Sequence, residues 1–578
     1  MKPAVQLTAK LSVKLITETI PEYLLRYTCT QDPSLYTAMD HASWRYIMRV
    51  AKPFFKAHAH PKYLDGLVET GISEERIPLI SEIDHCLRKF GWRAVPVSGF
   101  IPVAVFLEFQ SLGILPIAAD MRKIENLSYT PAPDIVHEAA GHAPILADSH
   151  YANYLRNYGE VARRAISSAQ DIAVYEAIRN LSVVKEDPAA TPAEVEAAQT
   201  QLNQAISAVD YVTESAYLSR MAWWSTEYGL IGSMNHPKIY GAGLLSSIGE
   251  SYHCLSHRVR RIPFTADCIN MNYDITRPQP NLFVASSFDE LNRILEEFTK
   301  SMAFRLGGLE GLAKAKTSGT TTTTVLDTGI QISGTLADFH TTDSGVPFYL
   351  QFQGPTQLAF EDHEIDGQGV AHHAQGFGTA IGKMKTPTPK VGETGTLEFD
   401  SGVLVQGKLK GKVERAGRTV ILSFEDCTVR LGEKILFQPD WGTYDLACGE
   451  KVISVFGGAA DRTCFPDRLL GPMPEQKSNL TKENAGLVPL YLRVREIREA
   501  AQTVQLVTPP QKLELDRIHA SLEVSFPEDW LLRMELLELD GTYAMGAGWK
   551  ATILSRLKEI EKRSPTHAEL IERGLKLI

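Results

Sequence analysis

The chain is sparing with cysteine, with long apolar runs and with positive charge, and each shortage narrows what it can be. Cysteine occurs seven times, at Cys29, Cys86, Cys254, Cys268, Cys427, Cys448 and Cys464, with no C-x-x-C pair. So dispersed a set argues against a disulfide framework or a zinc ribbon, and for reduced thiols in a cytoplasmic setting. The most apolar stretch, residues 95–119, is broken by Pro102, Glu108, Gln110 and Pro116, which argues against a membrane span. The opening segment MKPAVQLTAKLSVKLITETI lacks the continuous apolar core of a signal peptide. Lys and Arg number 59 against 69 Asp and Glu, a formal net charge of -10, so no global basic footprint for nucleic acid exists. No long period recurs, which excludes a repeat array. The expectation is a cytoplasmic protein with neither nucleic-acid nor membrane partners. A homo-oligomer is compatible with the sequence, which fixes no stoichiometry.

What is present is enough chain for several cores. At 578 residues, about two to four domains are expected. The first half reads mainly helical, with 3.6-type apolar spacing in segments such as Ser34 to Phe55 and Ser149 to Ala169. Thr191-Pro192-Ala193-Glu194 offers an N-cap, a proline at N1 and a glutamate at N3, the start of a further helix. Lys314 to Thr324 (KAKTSGTTTTT) reads as a polar, low-complexity linker. Beyond it, short alternating β-rich runs are punctuated by glycine, with turn signals at Ser401-Gly402 and Ala416-Gly417. The last hundred or so residues return to helix, with Ser525-Phe526-Pro527-Glu528 as a capping box before WLLRMELLEL. The expected fold class is therefore α+β and multidomain. A mainly helical unit (1–312, helical insertion about 165–211) is followed by a linker (313–324), a small antiparallel β domain (325–474) and a helical region (475–578).

The chemistry concentrates in Pro133-Asp134-Ile135-Val136-His137-Glu138-Ala139-Ala140-Gly141-His142, with two histidines and two carboxylates in ten residues. Neutral imidazole is the commonest protein ligand for transition metals. A histidine pair at this spacing is, on its own, more often a surface or core pair than a metal site. A zinc hydrolase is a second reading, because His-Glu-x-x-x-His resembles the zincin H-E-x-x-H. Zincin histidines, however, stand at i and i+4 on one helix face. His137 and His142 stand at i and i+5, about 140° apart on an α-helix. Both can face one ion only if the helix distorts or ends between them, and Gly141 permits that. A third ligand must come from elsewhere. Glu227, in Trp223-Trp224-Ser225-Thr226-Glu227-Tyr228-Gly229-Leu230, is costly if buried unpaired among aromatics, and a cation would offset that cost. Two histidines and one carboxylate leave three octahedral positions open, the facial triad of non-heme Fe(II) oxygenases.

At this point the chain resembles the pterin-dependent aromatic amino acid hydroxylases, from about Tyr63 to Gly308. Four blocks carry the resemblance, in the family's order. They are Gly91-Trp92-Arg93-Ala94-Val95-Pro96-Val97-Ser98-Gly99 with Phe106; Arg122 with Tyr129-Thr130-Pro131-Ala132-Pro133-Asp134 leading into the histidines; Trp223 to Leu230; and Tyr240 to Glu250 (YGAGLLSSIGE). The resemblance implies a mainly α-helical catalytic domain that spends O2 and a tetrahydropterin (tetrahydrobiopterin or a relative) at Fe(II) to hydroxylate an aromatic amino acid. It implies His137, His142 and Glu227 as iron ligands. Phe106 would stack on the pterin, with Ile101, Val103 and Glu138 beside it. Arg122 would pair with the substrate carboxylate through its planar fork. Thr130, Pro133, Trp223, Ser246 and Ile275 would line the amino acid pocket, and Ser246 and Glu250 would orient His137.

Aliphatic Ile275, where tyrosine hydroxylases tend to carry an acid, favours L-phenylalanine as substrate and L-tyrosine as product. Asp274 is adjacent, so a shift of one residue would reverse that inference, and tyrosine or tryptophan hydroxylation stays open. Three departures stand out. The stretch between the second and third blocks is long, Ala222 replaces a tyrosine common in the family, and nothing after residue 324 resembles the family's short C-terminal helix.

Overall fold

The computed structural model describes residues 20–99, 101–128, 133–186, 190–275, 277–465 and 475–578. Helix α1 (Ala38–His58) opens the catalytic half. Thr37 caps it by accepting from the Asp40 amide, and Asp40 returns the bond in a capping box. Strand β1 (Arg93–Val97), helix α2 (Val103–Ser111) and strand β2 (Ile114–Ala118) form a parallel β-α-β unit, with Arg93 opposite Ile114. Helix α3 (Ser149–Ala162) follows, begun by Asp148 accepting from two backbone amides. Helices α4 (Ala169–Glu186) and α5 (Pro192–Ser207) pack as a hairpin through Ala177, Leu181, Ala198 and Leu202. Thr191 and Glu194 make the capping box expected at the second of these helices.

Helix α6 (Glu214–Ala222) leads through the Glu227 turn into a four-stranded sheet. Its order is β4 (Pro237–Ile239), β3 (Leu230–Gly232), β6 (Asn281–Ala285), β5 (Arg260–Pro263).

The linker expected at 313–324 is a correction. Helix α7 (Gly308–Ser318) runs through its first half and stops at Gly319, whose φ is +63°. Strand β7 (Thr321–Leu326) takes the second half, with Thr322, Thr323 and Thr324 fully buried. A threonine run reads as polar, yet each side chain is β-branched and fits a pleated sheet. Thr323 satisfies its hydroxyl by donating to the Gly458 carbonyl (2.7 Å) and meeting the Ser333 hydroxyl (2.9 Å).

The β region therefore begins at Thr321. One sheet runs β10 (His363–Glu364), β9 (Pro347–Phe360), β8 (Ile330–Thr341), β7, β17 (Val452–Gly457), with β11 (Gly376–Ala380) also on β9. The other runs β12 (Thr394–Glu398), β13 (Val403–Arg415), β14 (Arg418–Leu431), β15 (Lys434–Phe437), with β16 (Tyr444–Ala447) on β14. All these pairs are antiparallel, and the turns fall at the two expected dipeptides. Ala416 and Gly417 both have positive φ, as a tight two-residue turn requires.

Five helices close the chain: α8 (Val488–Val504), α9 (Pro509–Ser525), α10 (Leu531–Tyr543), α11 (Lys550–Arg563) and α12 (Pro565–Leu575). Ser525 ends α9 instead of capping α10; Asp529 accepts from the Leu532 amide there (2.9 Å). These helices are not a separate unit. One continuous apolar core joins Trp44, Ile47 and Tyr63 to Ile497, Leu536, Trp530 and Ile571. Arg45, on α1, is buried among Glu75, Glu535 and Glu538. No described helix is long and apolar enough to cross a membrane.

Candidate metal and pterin site

The two histidines share a face because their helix is widened. Val136–His142 forms a π-helical turn, whose bonds run from i to i+5 and so bring residues five apart onto one side. The histidine rings lie 5.1 Å apart at 81°. Local chemistry favours the distortion. Pro144 has no N–H to continue an α-helical ladder, and the Ala140 carbonyl accepts from the Tyr63 hydroxyl instead (2.9 Å). Asp134 anchors the start of the turn, accepting from the His137 amide (3.0 Å). Gly141 contributes closeness, not the helix ending anticipated for it. Its φ is ordinary, but a Cβ there would sit 2.7 Å from the Ala242 carbonyl oxygen.

Glu227 is presented by a second π turn, Trp223–Glu227, closed by the Tyr228 amide donating to the Trp223 carbonyl (2.9 Å). The Gly241–Ser247 loop crosses both turns. A Cβ on Gly241 would meet the Glu227 carbonyl oxygen at 2.5 Å, so only glycine lets the loop lie this low. The outcome is a carboxylate with one oxygen on each imidazole. Glu227 Oε2 is 3.2 Å from His137 Nε2, and Oε1 is 3.2 Å from His142 Nε2.

The tautomer of His137 follows from its other neighbour. The Ser246 hydroxyl donates its proton to the Ala242 carbonyl (2.7 Å), so towards His137 Nδ1 (3.1 Å) it can only accept. His137 thus carries its proton on Nδ1 and aims the Nε2 lone pair at Glu227. Both ring nitrogens of His142 are buried; Nδ1 has no partner, and Nε2 faces Glu227 Oε1 at 3.2 Å without a well-aligned hydrogen bond. Burial alone would push the Glu227 carboxyl up, but positive charge at the two imidazoles, which protonated rings or a bound cation supplies, outweighs burial and holds it well below the usual carboxylate range. Two imidazole lone pairs facing an ionised carboxylate suit a divalent cation between them, and the donor set is that of a non-heme iron site. Glu138 is buried beside His142, 3.9 Å away, and burial pushes its carboxyl up to about 8.

The other expected residues fall as follows. Phe106 on α2 is half-buried, its ring 5.9 Å from that of His142. Ile101 is buried at the start of the same segment, and Val103 is exposed. Trp223 is sandwiched between Tyr228 (4.4 Å) and Tyr273 (4.2 Å). The Trp224 indole donates to the Met271 carbonyl (2.9 Å), which ties the Met271–Ile275 stretch, with half-buried Ile275, to the Glu227 turn. Pro133 opens the histidine segment, half-buried; Thr130 lies outside the described residues.

One expected residue has further partners, and one expectation changes. Arg122, expected on a substrate carboxylate, meets the protein's own first: its Nε and Nη2 donate to Asp134 (2.7 Å each) and Nη1 to the Ser246 carbonyl (2.9 Å). Glu250 does not reach His137. It is buried with one oxygen unpartnered, and burial pushes its carboxyl up to about 7. Asp134, Tyr228 and Tyr273 had no assigned role in the sequence reading. Of these, Asp134 alone left a local signal, standing three residues before His137 as an N-cap would.

Comparison with known proteins bears on this geometry. The family model described as biopterin-dependent aromatic amino acid hydroxylase matches residues 19–175 and 194–307. The match starts well before Tyr63, where the sequence resemblance is placed, and omits residues 176–193, which include most of α4. Phenylalanine-4-hydroxylase of Ralstonia nicotianae is 29% identical over 268 residues, 46% of this chain and 72% of that protein. The human phenylalanine-4-hydroxylase is 25% identical over 273 residues, 46% of this chain and 50% of that protein. Among solved structures, phenylalanine hydroxylase of Chromobacterium violaceum with iron(III) and 7,8-dihydrobiopterin is 25% identical, covering 48% of this chain and 88% of that one, with a TM-score of 0.37. Over residues 19–175 and 194–307, just under half of its length, this chain matches the biopterin-dependent aromatic amino acid hydroxylases.

Proposed function

We propose that the chain hydroxylates L-phenylalanine to L-tyrosine, using O2 and a tetrahydropterin at a ferrous ion held by His137, His142 and Glu227. The observation that carries this reading is the carboxylate of Glu227 facing two imidazole nitrogens at 3.2 Å each. When bound, the ion and the pterin supply oxygen activation and two electrons, one oxygen atom going to each of pterin and substrate.

The protein's own groups do the rest. Ser246 holds His137 in the Nδ1–H tautomer, which leaves Nε2 free to ligate. Phe106 offers its face to the pterin ring at the edge of the site, with Ile101 beside it. Buried Glu138, near pH 7 and with its raised pKa, can keep a proton close to the open side of the metal. Arg122 spends three of its five N–H groups on Asp134 and Ser246, leaving two for a substrate carboxylate. Trp223, held between Tyr228 and Tyr273, provides a rigid aromatic wall.

Phenylalanine is favoured over tyrosine by the ring specificity stretch. Asp274 is paired with Arg277 (3.0 Å), so its charge is engaged locally, while the neighbouring Ile275 keeps the pocket aliphatic. The relatives' names point to the same substrate. The cytoplasm is the compartment that suits free thiols and a ferrous ion.

Product analysis tests the reading. The purified chain with Fe(II) and a tetrahydropterin should convert phenylalanine to tyrosine with kcat/KM at least about tenfold above that for tyrosine or tryptophan. Dihydroxyphenylalanine or hydroxytryptophan as the main product would move the substrate; no product from any of the three, with iron bound, would overturn the reaction.

A further inference from the structure

The described residues contain a second meeting of two histidines and a carboxylate, outside the catalytic half of the chain: His372, His373 and Asp445. Asp445 sits in β16, buried at all four positions, and its side chain is 1% exposed. Among the described residues no lysine or arginine pairs with it. Its nearest side-chain nitrogens are His372 Nε2 at 2.8 Å and His373 Nε2 at 3.9 Å, and the Ser423 hydroxyl donates to its other oxygen. Gln368 Oε1 lies 2.8 Å from His373 Nε2. Gln368, His373 and Asp445 are buried, and His372 closes the cluster on the solvent side.

The donors come from two sheets. Gln368, His372 and His373 belong to the connection between β10 and β11, and Asp445 to β16. A turn in which the His372 and His373 amides both donate to the Gly369 carbonyl sets the adjacent imidazoles on one side, 4.5 Å apart at 71°. Extended backbone would have sent them to opposite faces. A carboxylate so buried is costly without a cation.

We propose that His372, His373 and Asp445, with the Gln368 carbonyl oxygen as a fourth donor, form a second metal site that binds Zn(II) and joins the two β sheets. Two imidazoles with oxygen donors are a set that zinc accepts, with bonds of about 2.0–2.2 Å. Ligand atoms on such an ion stand roughly 3.3 Å apart, inside the 2.8–3.9 Å spread seen here. The exposed edge of His372 gives the ion its way in and leaves room for water. The rival arrangement needs no metal: His372 donates to Asp445, and His373 to Gln368. The site lies outside residues 19–307, so it stands or falls independently of the hydroxylase reading.

The test is zinc uptake by the full chain after chelator treatment, measured by equilibrium dialysis with Zn2+ alone. The wild type should bind two equivalents. Asp445→Asn should bind one, with iron-dependent hydroxylation unchanged. Because a buried aspartate variant could misfold, His372→Ala at the more open position is the second variant. It should keep the fold and weaken the second equivalent at least about tenfold. Zinc should also raise the thermal midpoint of the wild type more than that of His372→Ala. A wild type that takes up no more zinc than Asp445→Asn and His372→Ala, whatever its total, would overturn the proposal and leave a hydrogen-bonded cluster.

Discussion

The hydroxyl of Ser246 decides which nitrogen of His137 is a base, because its only proton is committed to the Ala242 carbonyl. Replacing it with alanine removes that constraint without touching a ligand. Ser246→Ala should therefore weaken Fe(II) binding by roughly 10–100-fold, read by titration of the metal-free protein; unchanged affinity would mean that the tautomer is set elsewhere. Glu250 governs a different observable. Its folded carboxyl titrates at about 7 because of burial, above the ordinary value of 4.5. A raised acid stabilises the fold fully below pH 4.5 and progressively less as pH climbs to 7. We expect stability to fall between about pH 4.5 and 7, by up to ~3 kcal/mol from this group. Glu250→Gln should flatten that fall in denaturant midpoints; an equally steep profile would assign the loss to other groups. At this scale the sequence was legible where residue type alone limits chemistry, as at His137, His142 and Glu227. The pairing of Asp134 with Arg122 and the stacking of Tyr273 on Trp223 stayed hidden because both contacts are made by folding.

Elements make the site through two π turns held down by close backbone contacts. Gly141→Ala would place a methyl 2.7 Å from the Ala242 carbonyl oxygen. Overpacking of this kind costs about 1–3 kcal/mol and should displace His142, so iron affinity and thermal midpoint should fall together. A loss of neither would show that the loop yields freely. The histidine spacing announced a distorted helix, since i and i+5 cannot share an α-helical face, but not which distortion. The threonine strand β7 misled for the opposite reason: hydrophobic patterning scores its hydroxyls as polar, while the fold uses its β-branching. A segment beyond the family match also braces the site. Gln476 and Asn479 donate to the Ala119 and Met121 carbonyls (3.1 and 2.9 Å), and the Lys477 amide donates to Asp120 (3.1 Å), just before Arg122. Asn479→Ala should raise KM for the amino acid more than it lowers kcat, with partial rescue by Asn479→Asp unavailable because the carboxylate cannot donate. Equal changes in both constants would deny the segment a positioning role.

For the whole molecule, the family match ends at residue 307 but the core does not. The last five helices share apolar packing with α1, and Arg573 reaches back to the Ile248 carbonyl (2.9 Å) near the end of the YGAGLLSSIGE block. A chain cut after Gly319 would expose α1 and strip Arg45 of Glu535 and Glu538. It should be insoluble or molten, judged by gel filtration and near-ultraviolet circular dichroism. A stable, active fragment would make the C-terminal half dispensable. The sequence disclosed the helical and β textures of that half but not this packing, because apolar periodicity marks a buried face without naming its partner.

The central claim, a catalytic ferrous ion on His137, His142 and Glu227, is met most directly by iron binding and tyrosine formation measured together in the wild type and in Glu227→Gln. The account predicts one catalytic iron and pterin-dependent tyrosine formation in the wild type, and loss of both in a variant that keeps its fold. Iron bound and tyrosine formed undiminished without the Glu227 carboxylate would contradict it.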